Sequence, residues 1–510
     1  MTADMETLSP TNSPSKEKIT QDLETGSVAG LPSDFPDPDA GLSPEERAEA
    51  DRKLVRKLDW KLIPWLCWLY LLSFLDRTNI GNAKISGLEE DLDLDATKFN
   101  ASLTIFFASY AICEPLTNVL LKKFRPSVFI PIIMILWGVS LTSMGFVKSW
   151  ASLMVTRFLL GVTEAGLFPG VTYYFSCWYL RSELGIRMAI FFSAAAIAGS
   201  FGGCLAAAIS RMDGLGNLAG WSWIFVLEGL LTIVFGVISF WMIQDFPVDS
   251  KFLSHDDKAR VLRRLTVDKQ HSAHHEEFKW EYLWQSLKDW KMWLGMVIFG
   301  GVDMPLYAFA IFLPSIIDEL GFRSNEEEGT VFVSQLMTVP PYVAGAIATV
   351  LVGWIADKYR SRGILNIVCS AIAIVGFILF LVTDDVRARY TGTFLAAIGI
   401  YPCVPNTVSW TANNIEGVYK RGIVLGFVVG WGNMNGVASS NVYSGDFRTG
   451  HIACLSFLCL LFFASIIQTL CLANENKRRQ RGDRDHWVED KSPEEIRLLG
   501  DKRPDFLYTI

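Results

Sequence analysis

Arg157 and Glu164 stand seven positions apart inside an otherwise apolar run, RFLLGVTEAGLFPGVTYYFSCWY over 157–179. Seven residues is about two helical turns, so on a helix both side chains project from one face. In a helix that crosses a bilayer, a charge near the centre costs about 3 kcal/mol unless it faces protein or water. Two charges on one face therefore mark either an ion pair that locks neighbouring helices or an interior cavity that takes a charged ligand or ion. The cavity is the stronger reading.

A second charged doublet, Asp76-Arg77, lies well inside the first long apolar run. At 1.5 Å per residue it is roughly 20 Å into that helix, and Arg157 lies about six residues in from the outer end of its own. Both fall in the outer half to middle of the membrane. Two guanidiniums, Arg77 and Arg157, offer planar paired donors suited to a carboxylate, which points to an anionic substrate rather than a neutral sugar or a cation. Asp76 and Glu164 are the carboxylates best placed to carry a proton. Burial favours the neutral acid and a nearby arginine favours the anion, so a substrate anion competing for that arginine releases the acid to be protonated. Apart from His451 near a helix end, no histidine lies in a predicted span, so carboxylates must do this work. Tyr307, beside Pro305, and Trp410 can stack on a ring-bearing substrate. Asn413 and Asn414 are taken, with Gln335, Asn406, Asn433 and Asn435, to line the C-terminal side of the cavity, although buried amides also simply bridge helices. Glu114, Glu228 and Asp303 lie near helix ends or beside Pro and Gly and are read as structural.

The elements that must position these groups are membrane helices. The 510 residues are 51% hydrophobic and 19% charged, with the charges bunched between long apolar runs, so the chain is an all-α polytopic membrane protein. Twelve spans are predicted: 62–84, 101–121, 128–147, 151–175, 187–209, 222–243, 292–317, 331–355, 364–383, 390–412, 422–444 and 452–473. The expected organisation is a disordered and then amphipathic tail (1–58), a six-helix half (59–243), a central loop (244–291), a second six-helix half (292–473) and a C-terminal tail (474–510). An SxxE capping box at Ser43 begins the amphipathic segment, expected to lie on the membrane surface. Basic residues gather in alternate short loops and next to the membrane in both tails, and acids fill the opposite loops. By the positive-inside rule both termini and the central loop are cytoplasmic, in a plasma-membrane protein. The net charge of -7 arises in the acidic tails and outward loops and gives no reason to expect nucleic acid. The nine cysteines form no metal or redox spacing, and no cofactor is expected.

The two halves echo each other. NVLLKKFR (118–125) follows the second span and GWIADKYR (353–360) the eighth, the internal repetition of a transporter with its site near the midplane. Gly353 permits close helix approach, and Asp357 with Lys358 and Arg360 can lock helix ends on the cytoplasmic side as a gate. GWIADKYRSRG resembles the signature loop of the major facilitator superfamily, which implies that superfamily's fold of twelve helices in two six-helix halves. SFLDRTNIGNAKISG (73–87), RFLLGVTEAGLFPG (157–170), SWTANN (409–414) and KRGIVLG (420–426) look like its anion:cation symporter branch, within it most like the fungal allantoate permease group. That group includes permeases for allantoate, nicotinate, pantothenate and biotin. The resemblance implies that Arg77 and Arg157 meet or gate the substrate carboxylate and that Asp76 and Glu164 carry the proton. Lys122 departs from the pattern, standing where the first-half loop would carry aspartate.

The chain thus reads as a proton-coupled importer of a small organic anion, working as a monomer in the lipid bilayer. An efflux antiporter is one rival, weakened because AGSFGGC (198–204) in the fifth span has glycines but no proline. A nutrient sensor that binds without transporting is another. No set of nucleophile, base and orienting group can be assembled, so no enzyme is expected.

Overall fold

A computed structural model describes residues 38–267, 280–320, 327–443, 447–489 and 499–510. The expected disorder before residue 38, the middle of the central loop and the side chains of Lys122 and Gln335 lie outside the described residues. The chain begins as read: Ser43 Oγ accepts from Glu46 N at 3.3 Å and Glu46 Oε2 accepts from Ser43 N at 2.9 Å, closing the capping box. The helix it starts, α1 (Pro44–Ala83), runs 40 residues without a break. The amphipathic segment is therefore the stem of the first span rather than a separate surface helix, because nothing between it and the membrane interrupts helical hydrogen bonding.

The remaining helices are α2 (Ala96–Lys123), α3 (Pro126–Met144), α4 (Trp150–Glu164), α5 (Leu167–Ser176), α6 (Arg181–Ser210), α7 (Gly220–Met242), α8 (His255–Val267), α9 (Trp280–Leu287), α10 (Trp290–Glu319), α11 (Glu327–Tyr359), α12 (Arg362–Val382), α13 (Val386–Asn413), α14 (Val418–Val442) and α15 (Phe447–Gln480). Among the described residues nine helical segments are long and apolar enough to cross a membrane, α4 and α5 counting as one. The long helices α2, α13 and α14, which carry more polar side chains, complete twelve. The packing is inside out relative to a soluble bundle. On α4, Val155, Phe158 and Leu159 are exposed whereas Arg157 and Glu164 are buried, so the apolar stripe faces lipid and the charges face protein.

Contacts gather the basic loops and both described terminal segments on one face of the bundle. Lys57 of the α1 stem pairs with Asp257 of α8 at 2.7 Å, Asp51 with Arg263 at 2.9 Å, and Arg264 with Glu183 at the start of α6. The C-terminal segment 499–510 lies against the same face. Asp501 takes Lys420 at 2.7 Å and also Lys291, Thr509 O accepts from Trp410 Nε1 at 2.9 Å, and the Ile510 carbonyl accepts from Arg362 N at 2.7 Å. This segment straps together the ends of α10, α12, α13, α14 and α15.

Burial alone would raise the Asp501 carboxyl, but Lys291 and Lys420 beside it hold it below the ordinary carboxylate range. A carboxyl lowered by folding stabilises fully above its unfolded pKa, near 4, and the gain is lost only as pH falls through the lower folded value. Asp501→Asn should therefore cost about 3 kcal/mol, because it leaves two buried lysines, Lys291 and Lys420, with Asp289 as their one remaining counter-ion among the described residues. The measurement is thermal unfolding of the detergent-solubilised protein, with the difference between variant and parent constant from about pH 8 to about pH 5 and vanishing in stronger acid.

Candidate functional site

The α4 helix ends at Glu164, and α5 resumes at Leu167 after Ala165 and Gly166. A break inside a span frees backbone groups and sets the last side chain of the first segment at an irregular point, as at the discontinuous helices of transporter sites. Glu164 Oε1 there accepts from Ser73 Oγ at 2.7 Å and from Arg77 Nη2 and Nε at 2.7 and 3.2 Å. Arg77 continues the chain of hydrogen bonds: its Nη1 donates to Tyr307 Oη at 2.6 Å. Tyr307 donates to Asn433 Oδ1 at 3.0 Å, and Asn433 Nδ2 donates to Glu114 Oε2 at 2.7 Å. One buried network thus joins α1, α4, α10, α14 and α2, crossing from one half of the bundle to the other.

Aromatic rings frame it. The Arg77 guanidinium lies 4.7 Å from the Tyr110 ring centroid, 5.5 Å from Phe106 and 5.6 Å from Tyr307, and Phe107 meets Tyr307 edge-on at 4.8 Å. Such rings stabilise a desolvated cation and present flat apolar faces to a ligand. Asp303 of α10 and Glu114 lie within electrostatic reach of Arg77. Glu114 Oε1, Glu164 Oε2 and Asp303 Oδ2 are buried without hydrogen-bond partners among the described residues.

Arg157 differs from Arg77. It is 1% exposed and within electrostatic reach of Glu164, yet its Nε and Nη2 have no hydrogen-bond partner among the described residues. A buried guanidinium with free donors is costly to hold unless something binds there. Its seven-residue spacing from Glu164 does not make them hydrogen-bond partners: Glu164 meets Arg77 through Oε1 and leaves Oε2 unpartnered among the described residues.

The other sequence-derived candidates separate. Asp76 faces away from this network: its Oδ2 accepts from Trp137 Nε1 of α3 and from Thr232 Oγ1 of α7, both at 2.8 Å. Asn414 caps α13 on the basic face, where Nδ2 donates to Thr509 O at 3.0 Å and Oδ1 accepts from Thr509 N at 2.8 Å. Both ends of its amide are engaged by the strap, and Asn413 lies beside it on the last turn of α13. Trp410 is held by the same strap, and Asn406 by Arg362 O and Asn366 Oδ1. In the repeated loop, a Cβ on Gly353 would stand 2.4 Å from Ala189 Cβ, so α11 and α6 touch there without room for a side chain. Asp357 Oδ2 accepts from Ile186 N at 2.6 Å and pairs with Arg362. Lys358 instead lies over the Trp354 ring at 4.8 Å, and Arg360 is exposed in a left-handed turn with φ 50°. Toward the opposite face α1 and α10 close on each other, a Cβ on Gly81 falling 3.0 Å from Ile311 O. Ser73 and Tyr110 were not singled out by sequence: a serine and a tyrosine in an apolar run give no signal until their helices are packed.

With this geometry in hand, comparison with known proteins is specific. A family model described as Major Facilitator Superfamily matches residues 66–440. An uncharacterized transporter of Schizosaccharomyces pombe is 33% identical over 91% of this chain and 94% of its own length. The high-affinity nicotinic acid transporter of Saccharomyces cerevisiae is 30% identical over 98% of this chain and 96% of its own. Among solved structures, a bacterial homologue of the human lysosomal transporter Spinster, inward-facing and unoccupied, matches with a TM-score of 0.57 at 14% identity, covering 83% of this chain and 98% of that one.

Proposed function

The chain belongs to the major facilitator superfamily, and we propose that it is a proton-coupled importer of a small organic anion, in the allantoate permease branch. The observation that carries this reading is Arg157, fully buried with guanidinium donors left free while Arg77 is satisfied by Glu164 and Tyr307. A carboxylate is the ligand that would use those planar donors. The rings of Phe106, Tyr110 and Tyr307 around Arg77, with Phe107 packed on Tyr307, favour a carboxylate on a flat ring over a linear dicarboxylate. The relationship to a nicotinic acid transporter makes nicotinate the first compound to try.

In this reading the anion reaches Arg157 and Arg77 between the two six-helix halves, 59–243 and 292–473, and draws Arg77 from Glu164. The basic face, with its Gly353–Ala189 and Asp357–Ile186 contacts, is the cytoplasmic gate. The test is uptake of labelled nicotinate, pantothenate, allantoate, biotin and a dicarboxylate into a host lacking its own permeases, at acid and neutral pH. Acid-stimulated accumulation of one monocarboxylate supports the reading. Faster loss of preloaded compound from expressing cells would favour efflux instead.

Orientation is tested separately. Tags at both termini and within 268–279 should be protected in intact cells and exposed on permeabilisation, as the basic face requires. Surface labelling of the central loop in intact cells would reverse the assignment.

A further inference from the structure

Two acids of the N-terminal half take no part in the network around Arg77. Asp76 is 0% exposed with Oδ1 unpartnered, and Glu228 is 2% exposed with both carboxyl oxygens unpartnered among the described residues. Glu228 lies one turn before Thr232 on α7, the residue whose hydroxyl donates to Asp76, so both face α1. Glu228 lies within electrostatic reach of Asp76. The charged surroundings are sparse on every side. Helix α3 contains no ionisable residue, and Glu228 is the one ionisable residue of α7. The fifth-span helix α6 carries its arginines and its glutamate only in the first turns, on the basic face. Beyond these helices Asp76 feels Glu164, itself an acid, and the adjoining Arg77 of α1 is already engaged by Glu164 and Tyr307.

Two carboxylates buried together without a cation cannot both stay ionised, since neither desolvation nor mutual repulsion is offset. We propose that Asp76 and Glu228 form a proton-binding site between α1, α3 and α7, lateral to the anion site. The proton bonds to a carboxylate oxygen of one acid and so removes its repulsion with the other. Asp76 and Arg77 are consecutive, so they project about 100° apart on α1. One serves the proton site and the other the anion site, and any shift of α1 that follows capture of the anion acts on both. That link to transport rests on the symport reading, whereas the site itself does not.

The test accordingly begins without substrate. The purified full-length protein at neutral pH should show a carboxylic-acid carbonyl band in the infrared that shifts in heavy water and disappears on alkaline titration. Glu228→Gln or Asp76→Asn should remove or diminish that band, and Glu228→Asp should retain it, each judged on protein that is monodisperse by size exclusion. A spectrum with no such band, or a band untouched by all the variants, overturns the site. The transport link is read in proteoliposomes with nicotinate and an imposed pH gradient, where wild type is acid-stimulated and Glu228→Gln is flat. If the band behaves as expected and wild type ignores the gradient, the symport reading fails while the proton site stands.

Discussion

Replacing Arg157 by alanine is expected to abolish uptake while leaving the protein at the membrane in normal amount. The expectation follows from what the guanidinium lacks. Arg77 has Glu164, the Tyr307 hydroxyl and the rings of Phe106, Tyr110 and Tyr307 around it, so its removal would strand Glu164 and disturb five helices at once. Arg157 supports no such network: no hydrogen bond from its Nε or Nη2 is lost, and removing a buried charge with unpartnered donors does not weaken the fold. On the proposed function, what is lost is the charge-assisted contact to the anion, about 3 kcal/mol or roughly a hundredfold in apparent affinity. Arg157→Lys keeps the charge but not the planar fork, and should raise KM for the carboxylate with kcat less affected. The measurements are surface expression and concentration-dependent uptake of the transported acid. Normal uptake by Arg157→Ala at the surface would make Arg157 a structural residue.

The sequence made the helices legible because hydropathy and loop charge act locally along the chain. It also exposed Arg157 and Glu164, since a charge within an apolar run has no cheap explanation. What it hid was partnership. Seven residues place Arg157 and Glu164 on one face but about 10 Å apart along the axis. The partner Glu164 takes comes instead from α1, and no spacing within one helix encodes a contact between two. Asp76 and Arg77 were read as one doublet, yet consecutive helical positions look into different interfaces, and the structure turns Asp76 toward Trp137 and Thr232. Asn414 carried the same signal as an amide lining a cavity. Its actual partner, Thr509, belongs to a polar terminal segment that hydropathy passes over. Glu114 and Asn433, each ambiguous alone, gain meaning from the bond between them that joins the two halves.

Glu164→Gln is expected to separate binding from driving force. In the resting arrangement Glu164 is the counter-ion of Arg77, and the second arginine has no hydrogen-bonded carboxylate of its own. An incoming carboxylate that takes Arg77 and engages the nearby Arg157 leaves Glu164 buried and charged with the Ser73 hydroxyl as its remaining hydrogen-bond donor, a state relieved when Glu164 gains a proton. In the proposed symport, that exchange of partners would link anion to proton, and by reciprocity a proton on Glu164 would favour the anion at Arg77. Glutamine is neutral whether or not the anion is present, so the variant should bind and exchange substrate, with an apparent affinity equal to or better than that of wild type because its carboxylate rival is gone. It should fail to concentrate substrate when a pH gradient is imposed. Counterflow of labelled against unlabelled substrate in proteoliposomes measures the first property, and accumulation under an imposed gradient measures the second. A Glu164→Gln protein that still concentrates substrate, and loses this when the gradient is collapsed, would move the anion-linked proton to another acid. Glu114 and Asp303, buried within reach of the same arginine, are the positions to neutralise next.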